Sequence, residues 1–331
     1  MKVSDFNYEL PPELIAQSPL ADRSASRMLV VHRNSGLFED RHFRDLPQYL
    51  SEGDCLVLND SKVFPSRLYG HRPTGGKVEV FLLKQLESRL WTALVKPGRT
   101  LQPGAQIVFG EQLTAEVTDR GELGERTIRF HFPIEERLDE LGHTPLPPYI
   151  KRADDAADRE RYQTVYARHP GSAAAPTAGL HFTPEVLERC RAPGATVAYV
   201  TLHVGLGTFQ PLTTDEVDQI TLHSESWEIP KESLPQLRHA RRLVCVGTTS
   251  LRTIESAGFE YPSSGETSLF IAPGYLFEHA GALLTNFHLP GTSLLLLVAA
   301  FAGVDLARQA YAHAVRERYR FYSYGDCMLV L

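Results

Sequence analysis

The spacing of apolar positions changes character along the chain. Residues 1–60 hold a short helical piece, Pro11 to Gln17, a strand-like run, Met28 to His32, and a second run, CLVLND, ending at Asp60. From about Val63 to Pro133, short β-rich runs follow one another across glycine and proline turns: KVEVFLL, LWTALV, AQIVFG, LTAEV and TIRFHF. In the last of these Ile128, Phe130 and Phe132 alternate with Thr127, Arg129 and His131, the period of a half-buried strand. Short strands, tight turns and no helical stretch predict a small barrel or sandwich.

After Pro133 the pattern alternates. Apolar runs TVAYVTL, LVCVG and ALLTNF are interleaved with helical stretches at 185–191, 231–241, 250–257 and 293–318, which predicts layered α/β structure. The chain therefore reads as α/β, with a main α/β domain on a mixed sheet, residues 1–62 and 151–331. A small all-β, barrel-like domain, residues 63–150, is inserted into it. HTPLPPYIKR serves as the exit linker, since its prolines favour extended backbone.

A chain of 331 residues with 43% hydrophobic and 22% charged positions has ample core for two domains. The net charge of -6 argues against a generic nucleic-acid coat but leaves room for a local basic face. Cys55, Cys190, Cys245 and Cys327 lie far apart, which fits reduced thiols in the cytosol. No apolar signal segment opens the chain, and the longest apolar run, Leu294 to Val304, has 11 residues, too few to span a bilayer. The expectation is a cytoplasmic protein with no membrane association, a monomer by default.

Polar residues punctuate the α/β half in suggestive places. In VCVGTTSLRTIES an apolar strand ends at Gly247, and Thr248, Thr249 and Ser250 lead into a helix carrying Arg252. Such a helix start can bind an anion or simply cap itself. TLHVGLGTF holds a G-x-G step, Gly205 and Gly207, beside His203 and Thr208; it permits close approach of a ligand and equally a plain tight turn. His181, His203, His223 and His288 each follow a bulky apolar residue, which suggests a shared cavity. Their spacing matches no H-x-H or H-E-x-x-H metal motif. Glu225 stands two residues beyond His223, on the same face if the run is a strand. At the C-terminus Arg316, Arg318 and Arg320 interleave with Tyr319, Phe321, Tyr322 and Tyr324, a composition suited to single-stranded nucleic acid or to a buried terminal strand.

Taken together, GSAAAPTAGLHFT, TLHVGLGTF, VGTTSLRTIES, FIAPGYLF, TNFHLPGTSLLLLVAAFAG and YRFYSYGDCMLVL resemble the S-adenosylmethionine:tRNA ribosyltransferase-isomerases of queuosine biosynthesis. DFNYELPPELIAQSPLADRSASRMLV, GDCLVLNDSKVFPSRLYG and LPPYIKR extend the resemblance to the N-terminal half. It implies transfer and isomerisation of the ribosyl group of S-adenosylmethionine onto 7-aminomethyl-7-deazaguanine at the tRNA wobble position. Epoxyqueuosine forms, and adenine and methionine leave. No metal and no separate cofactor are implied.

On that basis His181, His203, His223 and His288 are expected to ring the substrates, with Glu225 completing a proton-transfer pair and Asp326 pairing the acceptor amine. Thr177 and Gly179 of the small-residue loop, Gly205, Gly207, Thr208, Thr248, Thr249, Ser250, Arg252 and Asn286 are expected around the donor. Lys151, Arg152, Arg316, Arg318, Arg320, Tyr319 and Tyr324 are expected to contact the tRNA anticodon loop, with Arg67 and Lys77 as weaker contacts. A metal-dependent hydrolase built on the four histidines, and a non-catalytic RNA-binding module built on the β-domain, are the competing readings.

Overall fold

The computed structural model describes residues 1–110, 113–121, 124–205, 212, 214–258 and 263–331. Among these, a nine-stranded sheet runs in the order Ser264–Thr267, Glu225–Glu228, Thr196–Leu202, Asp54–Asn59, Arg242–Val246, Ala280–Asn286, Cys327–Val330, Arg27–Val31 and Phe38–His42. The four strands from Thr196–Leu202 to Ala280–Asn286 are mutually parallel, and antiparallel pairs close both edges. The sheet is thus mixed, drawn from both ends of the chain.

The central strand shows why. Cys55, Leu56, Val57 and Leu58 are all fully buried, with Cys55 and Val57 packed on one face and Leu56 and Leu58 on the other. A strand covered on both faces reads as a continuous apolar run, and each such side chain contributes roughly 1.5–3 kcal/mol by leaving water.

A second sheet, in the order Gly142–His143, Arg67–His71, Lys77–Glu87, Leu90–Lys96, Glu125–Phe130, Leu113–Arg120 and Gln106–Phe109, is antiparallel throughout. Pairing of His71 with Val108 brings its Gln106–Phe109 edge back to Arg67–His71, closing a six-stranded barrel to which Gly142–His143 adds a short edge. Val80, Leu82, Ala93, Ile107, Ala115 and Ile128 fill it, on the alternate positions the sequence pattern indicates. A parallel ribbon, Ser61–Val63 with His169–Ser172, lies where the chain leaves the large sheet for the barrel and returns.

Helices depart from expectation in detail. Pro11 to Gln17 forms only a 3-10 turn, Pro12–Leu14, and 231–241 divides into a turn, Lys231–Ser233, and a helix, Leu234–His239. The predicted helix 293–318 breaks at Gly303, whose φ of 91° suits glycine, into Ser293–Ala302 and Val304–Arg316, bent by 115°. Leu296, Leu297 and Val298 of its apolar half are buried in the core. No single described helix is long and apolar enough to cross a membrane.

Candidate active site

Parallel strands that end together leave a crevice at their C-terminal ends, where ligands usually bind. Here the barrel roofs that crevice. A cleft of about 1320 Å³ runs between the barrel, which contributes Phe64, Lys84 and Trp91, and the sheet ends, which contribute His203, Glu225 and Arg252.

On the sheet side, Gly247 turns the strand Arg242–Val246 into the helix Thr248–Ala257 with φ of 89°. That turn carries Arg252 to the cleft, where it is 7% exposed. Its guanidinium pairs with the carboxylate of Glu225 on the strand Glu225–Glu228 and donates Nε to the Leu269 carbonyl at 3.0 Å. Nη2 has no hydrogen-bond partner among the described residues. The other Glu225 oxygen accepts the Gly205 N–H at 3.0 Å. Both oxygens of Glu225 are therefore committed to holding the site's shape.

His203 follows Leu202 at the end of its strand, with Nδ1 3.2 Å from Ser61 Oγ. Burial and the nearby charge of His169 hold its pKa below the usual histidine value. Gly171, at φ 143°, packs against the ring; a Cβ there would lie 2.9 Å from Cε1. His223 is exposed and lines the same cleft. Asn59 knits the floor together: its Nδ2 donates to the Leu202 carbonyl at 3.0 Å and Thr249 Oγ1 at 3.1 Å, and its Oδ1 accepts the Ser61 and Leu202 N–H groups, both at 3.1 Å.

The ring of four histidines does not assemble. His203 and His223 line the cleft with Glu225; His181 and His288 do not. His181 is 3% exposed, with Nε2 3.2 Å from Asn286 Oδ1, and burial pushes its pKa down to about 4. Asn286 is occupied too, since its Nδ2 donates to the Tyr322 carbonyl at 2.8 Å. His288 Nε2 lies 2.8 Å from Thr285 Oγ1, and burial takes its pKa to about 3. Asp326 is buried, lies outside the cleft and accepts the backbone N–H groups of Arg27 and Arg320, each at 2.8 Å, which ties the terminal strand down.

Of the expected donor contacts, Gly205 and Arg252 line the cleft. Gly207 and Thr208 lie outside the described residues. Thr248 is buried, and Thr249 accepts from Asn59. Ser250 Oγ donates back to the Val246 carbonyl at 2.9 Å, so its hydroxyl is spent within the helix. The small-residue loop is small for an internal reason: a Cβ at Gly179 would lie 2.1 Å from the Tyr166 hydroxyl, and Ala173, Ala174, Ala175 and Ala178 are buried. Thr177 begins the same 3-10 turn, Thr177–His181, half-buried and outside the cleft.

The expected RNA contacts divide sharply. Tyr319 is fully buried under the Arg27 guanidinium at 3.7 Å with its hydroxyl on Asp40, and buried Tyr324 donates to Asp158 at 2.8 Å. Neither has a face free for a base. Arg152 grips Asp158 in a fork at 2.6 and 2.8 Å, and Arg320 donates to the Ser18 carbonyl. Lys151, Arg316 and Arg318 remain exposed, and none lines the cleft. On the barrel, Arg67 faces Glu79 at 3.4 Å, and Lys77 is exposed. Missed by sequence reasoning are Trp91, Lys62 and Lys84 of the cleft wall, and the buried carboxyl of Asp60, two residues before Lys62. Among the described residues no three His, Cys, Asp or Glu side chains converge as a metal would require.

An α/β sheet whose strand ends open on a cleft, roofed by an inserted barrel, is the architecture of this chain. The chain belongs to the queuosine biosynthesis protein family, whose profile matches residues 3–330. It is 58% identical to the S-adenosylmethionine:tRNA ribosyltransferase-isomerase of Solibacter usitatus and 51% identical to that of Symbiobacterium thermophilum, over 100% of each chain. The crystal structure of an S-adenosylmethionine tRNA ribosyltransferase from Thermotoga maritima superposes with a TM-score of 0.57 at 40% identity, covering 99% of this chain and 100% of that one.

Proposed function

We propose that this protein transfers and isomerises the ribosyl group of S-adenosylmethionine onto 7-aminomethyl-7-deazaguanine at the wobble position of tRNA. Epoxyqueuosine forms, and adenine and methionine are released without a metal or separate cofactor. The observation that carries the reading is end-to-end identity of 58% with a named enzyme of this activity, joined to a cleft of about 1320 Å³ with room for a donor and a splayed-out base.

The chemistry makes demands that this cleft can meet. The methionine carboxylate of the donor needs a cation, and Arg252 offers a buried guanidinium with a spare N–H. The sulfonium is comfortable beside an aromatic face, which Trp91 and Phe64 provide. A proton must leave the ribose carbon beside sulfur, and His203 and His223 are imidazoles on the cleft wall. The acceptor amine, with a reference pKa of about 10.4, loses its charge more readily in a partly desolvated cleft.

The test is a product assay. The protein is incubated with S-adenosylmethionine and an anticodon stem-loop carrying the aminomethyl-deazaguanine. Adenine and methionine released in step with a mass gain on the RNA are expected. S-adenosylhomocysteine and methylated RNA would overturn ribosyl transfer. RNA binding indifferent to S-adenosylmethionine would restore the binding-module reading.

A further inference from the structure

The ribbon at the base of the barrel places His169 opposite Ser61, one residue from Asp60. Asp60 is fully buried. Its Oδ1 accepts the Thr201 hydroxyl at 2.7 Å, while Oδ2 has no hydrogen-bond partner among the described residues. His169 Nε2 stands 3.6 Å from that oxygen, and the Asp60 carbonyl accepts the N–H groups of Arg168 at 2.7 Å and His169 at 3.3 Å. The far side of the His169 ring is open, its side chain 56% exposed. Lys62, Pro170, Gly171 and His203, the immediate neighbours, all line the cleft. Burial raises the Asp60 pKa, opposed by the Thr201 hydrogen bond and by the charges of His169 and Arg168. A buried carboxyl with an unfilled acceptor is costly unless something uses it.

We propose that Asp60 and His169, next in the chain to cleft-lining Pro170 and within two residues of Lys62, form a carboxylate–imidazole pair at the edge of the cleft that carries the proton of ribosyl transfer, with His169 the catalytic residue and Asp60 its positioning residue. This rests on the ribosyl-transfer reading above. Oδ2 of Asp60 accepts the Nε2–H, which fixes the tautomer and leaves the lone pair on Nδ1. The 3.6 Å separation is longer than a hydrogen bond, as catalytic contacts commonly are before substrate binds. Nδ1 takes the proton from the ribose carbon beside the sulfonium, and the C–H electron pair stays on that carbon. The imidazolium, held by the Asp60 carboxylate, then gives the proton to a ring nitrogen of adenine. The glycosidic bond breaks, its electron pair leaves with the base, and the lone pair of the acceptor amine forms the new bond to the vacated ribose carbon. Neutral imidazole is restored and neutral adenine departs. His203 differs in having a hydroxyl at its Nδ1, from Ser61.

The experiment follows adenine release and S-adenosylmethionine binding in Asp60→Asn, His169→Gln and the double variant of the full chain. His169→Gln is expected to lower kcat by about 10²–10⁴-fold. Asp60→Asn should lower it by at least about tenfold, as loss of an orienting partner does. The double variant should be no slower than His169→Gln alone, and KM should change little throughout. Multiplied effects in the double variant would make Asp60 merely structural, and a normal kcat in His169→Gln would end the proposal. Should Asp60→Asn fail to fold, His169→Ala decides: recovery of its turnover by added imidazole is expected, and no recovery overturns the assignment. Wild-type protein that binds donor but releases no adenine would defeat the ribosyl-transfer reading itself.

Discussion

A histidine that is buried beside a neutral partner behaves differently from one facing a cleft, and His181 shows the difference. Its folded pKa of about 4 lies below the ordinary value of 6.5, driven mainly by burial. Because the folded pKa is the lower one, the unfolded chain takes up the proton first as pH falls. The stability that neutral His181 contributes is therefore intact above about pH 6.5 and lost progressively down to about pH 4. Linkage over that interval makes the loss about 2 kcal/mol between pH 7 and pH 5. Urea unfolding at the two pH values should show His181→Gln losing less stability on acidification than wild type by about that amount. Equal acid sensitivity would mean that His181 is protonated in the fold. The sequence presents this residue just as it presents His203, after a leucine at the end of an apolar run. His181 closes the buried 3-10 turn Thr177–His181 while His203 follows the strand Thr196–Leu202 into the cleft, and local pattern does not carry that information.

Between elements, the pair of Glu225 and Arg252 joins the strand Glu225–Glu228 to the helix Thr248–Ala257. Both side chains are less than a tenth exposed, so removing one partner strands a buried charge and costs about 3–5 kcal/mol. Arg252→Met should lower the urea midpoint accordingly. Adding Glu225→Gln should recover much of the loss, because the amide oxygen still accepts from Gly205 while the stranded charge is gone. Failure of the second change to restore stability would show that the ion pair is not the main contribution. Elements as such were legible where periodicity was unambiguous. The barrel strands alternate cleanly, and the parallel strands are apolar throughout because both faces are covered. The break at Gly303 was hidden because the residues on either side favour helix. Asp60 was hidden because it closes an apolar run and its partner, His169, lies over a hundred positions away across the barrel excursion, a contact that only the parallel ribbon creates.

At the scale of the whole molecule, a net charge of -6 repels an RNA at long range, so attraction must be local. On the proposed function, two lysines of the cleft wall would supply it. Lys62 lies beside the floor, Lys84 sits opposite on the barrel, and both are exposed. An anticodon loop entering between barrel and sheet would set its phosphates against these ammonium groups while its unstacked base reaches the imidazoles below. Each phosphate contact to a single strand adds about -0.7 to the slope of log affinity against log salt. Lys62→Gln with Lys84→Gln should therefore weaken stem-loop binding and flatten that slope by roughly 1.4. Donor binding, measured separately, should stay unchanged, because the proposed donor contact, Arg252, lies on the sheet side. Arg316→Gln with Arg318→Gln is the contrasting pair, since those residues are exposed on the far C-terminal helix and the turn after it, outside the cleft. If that pair flattened the slope and the lysine pair did not, the RNA would lie across the C-terminal face, and the wobble base would have to reach the cleft from outside the barrel roof.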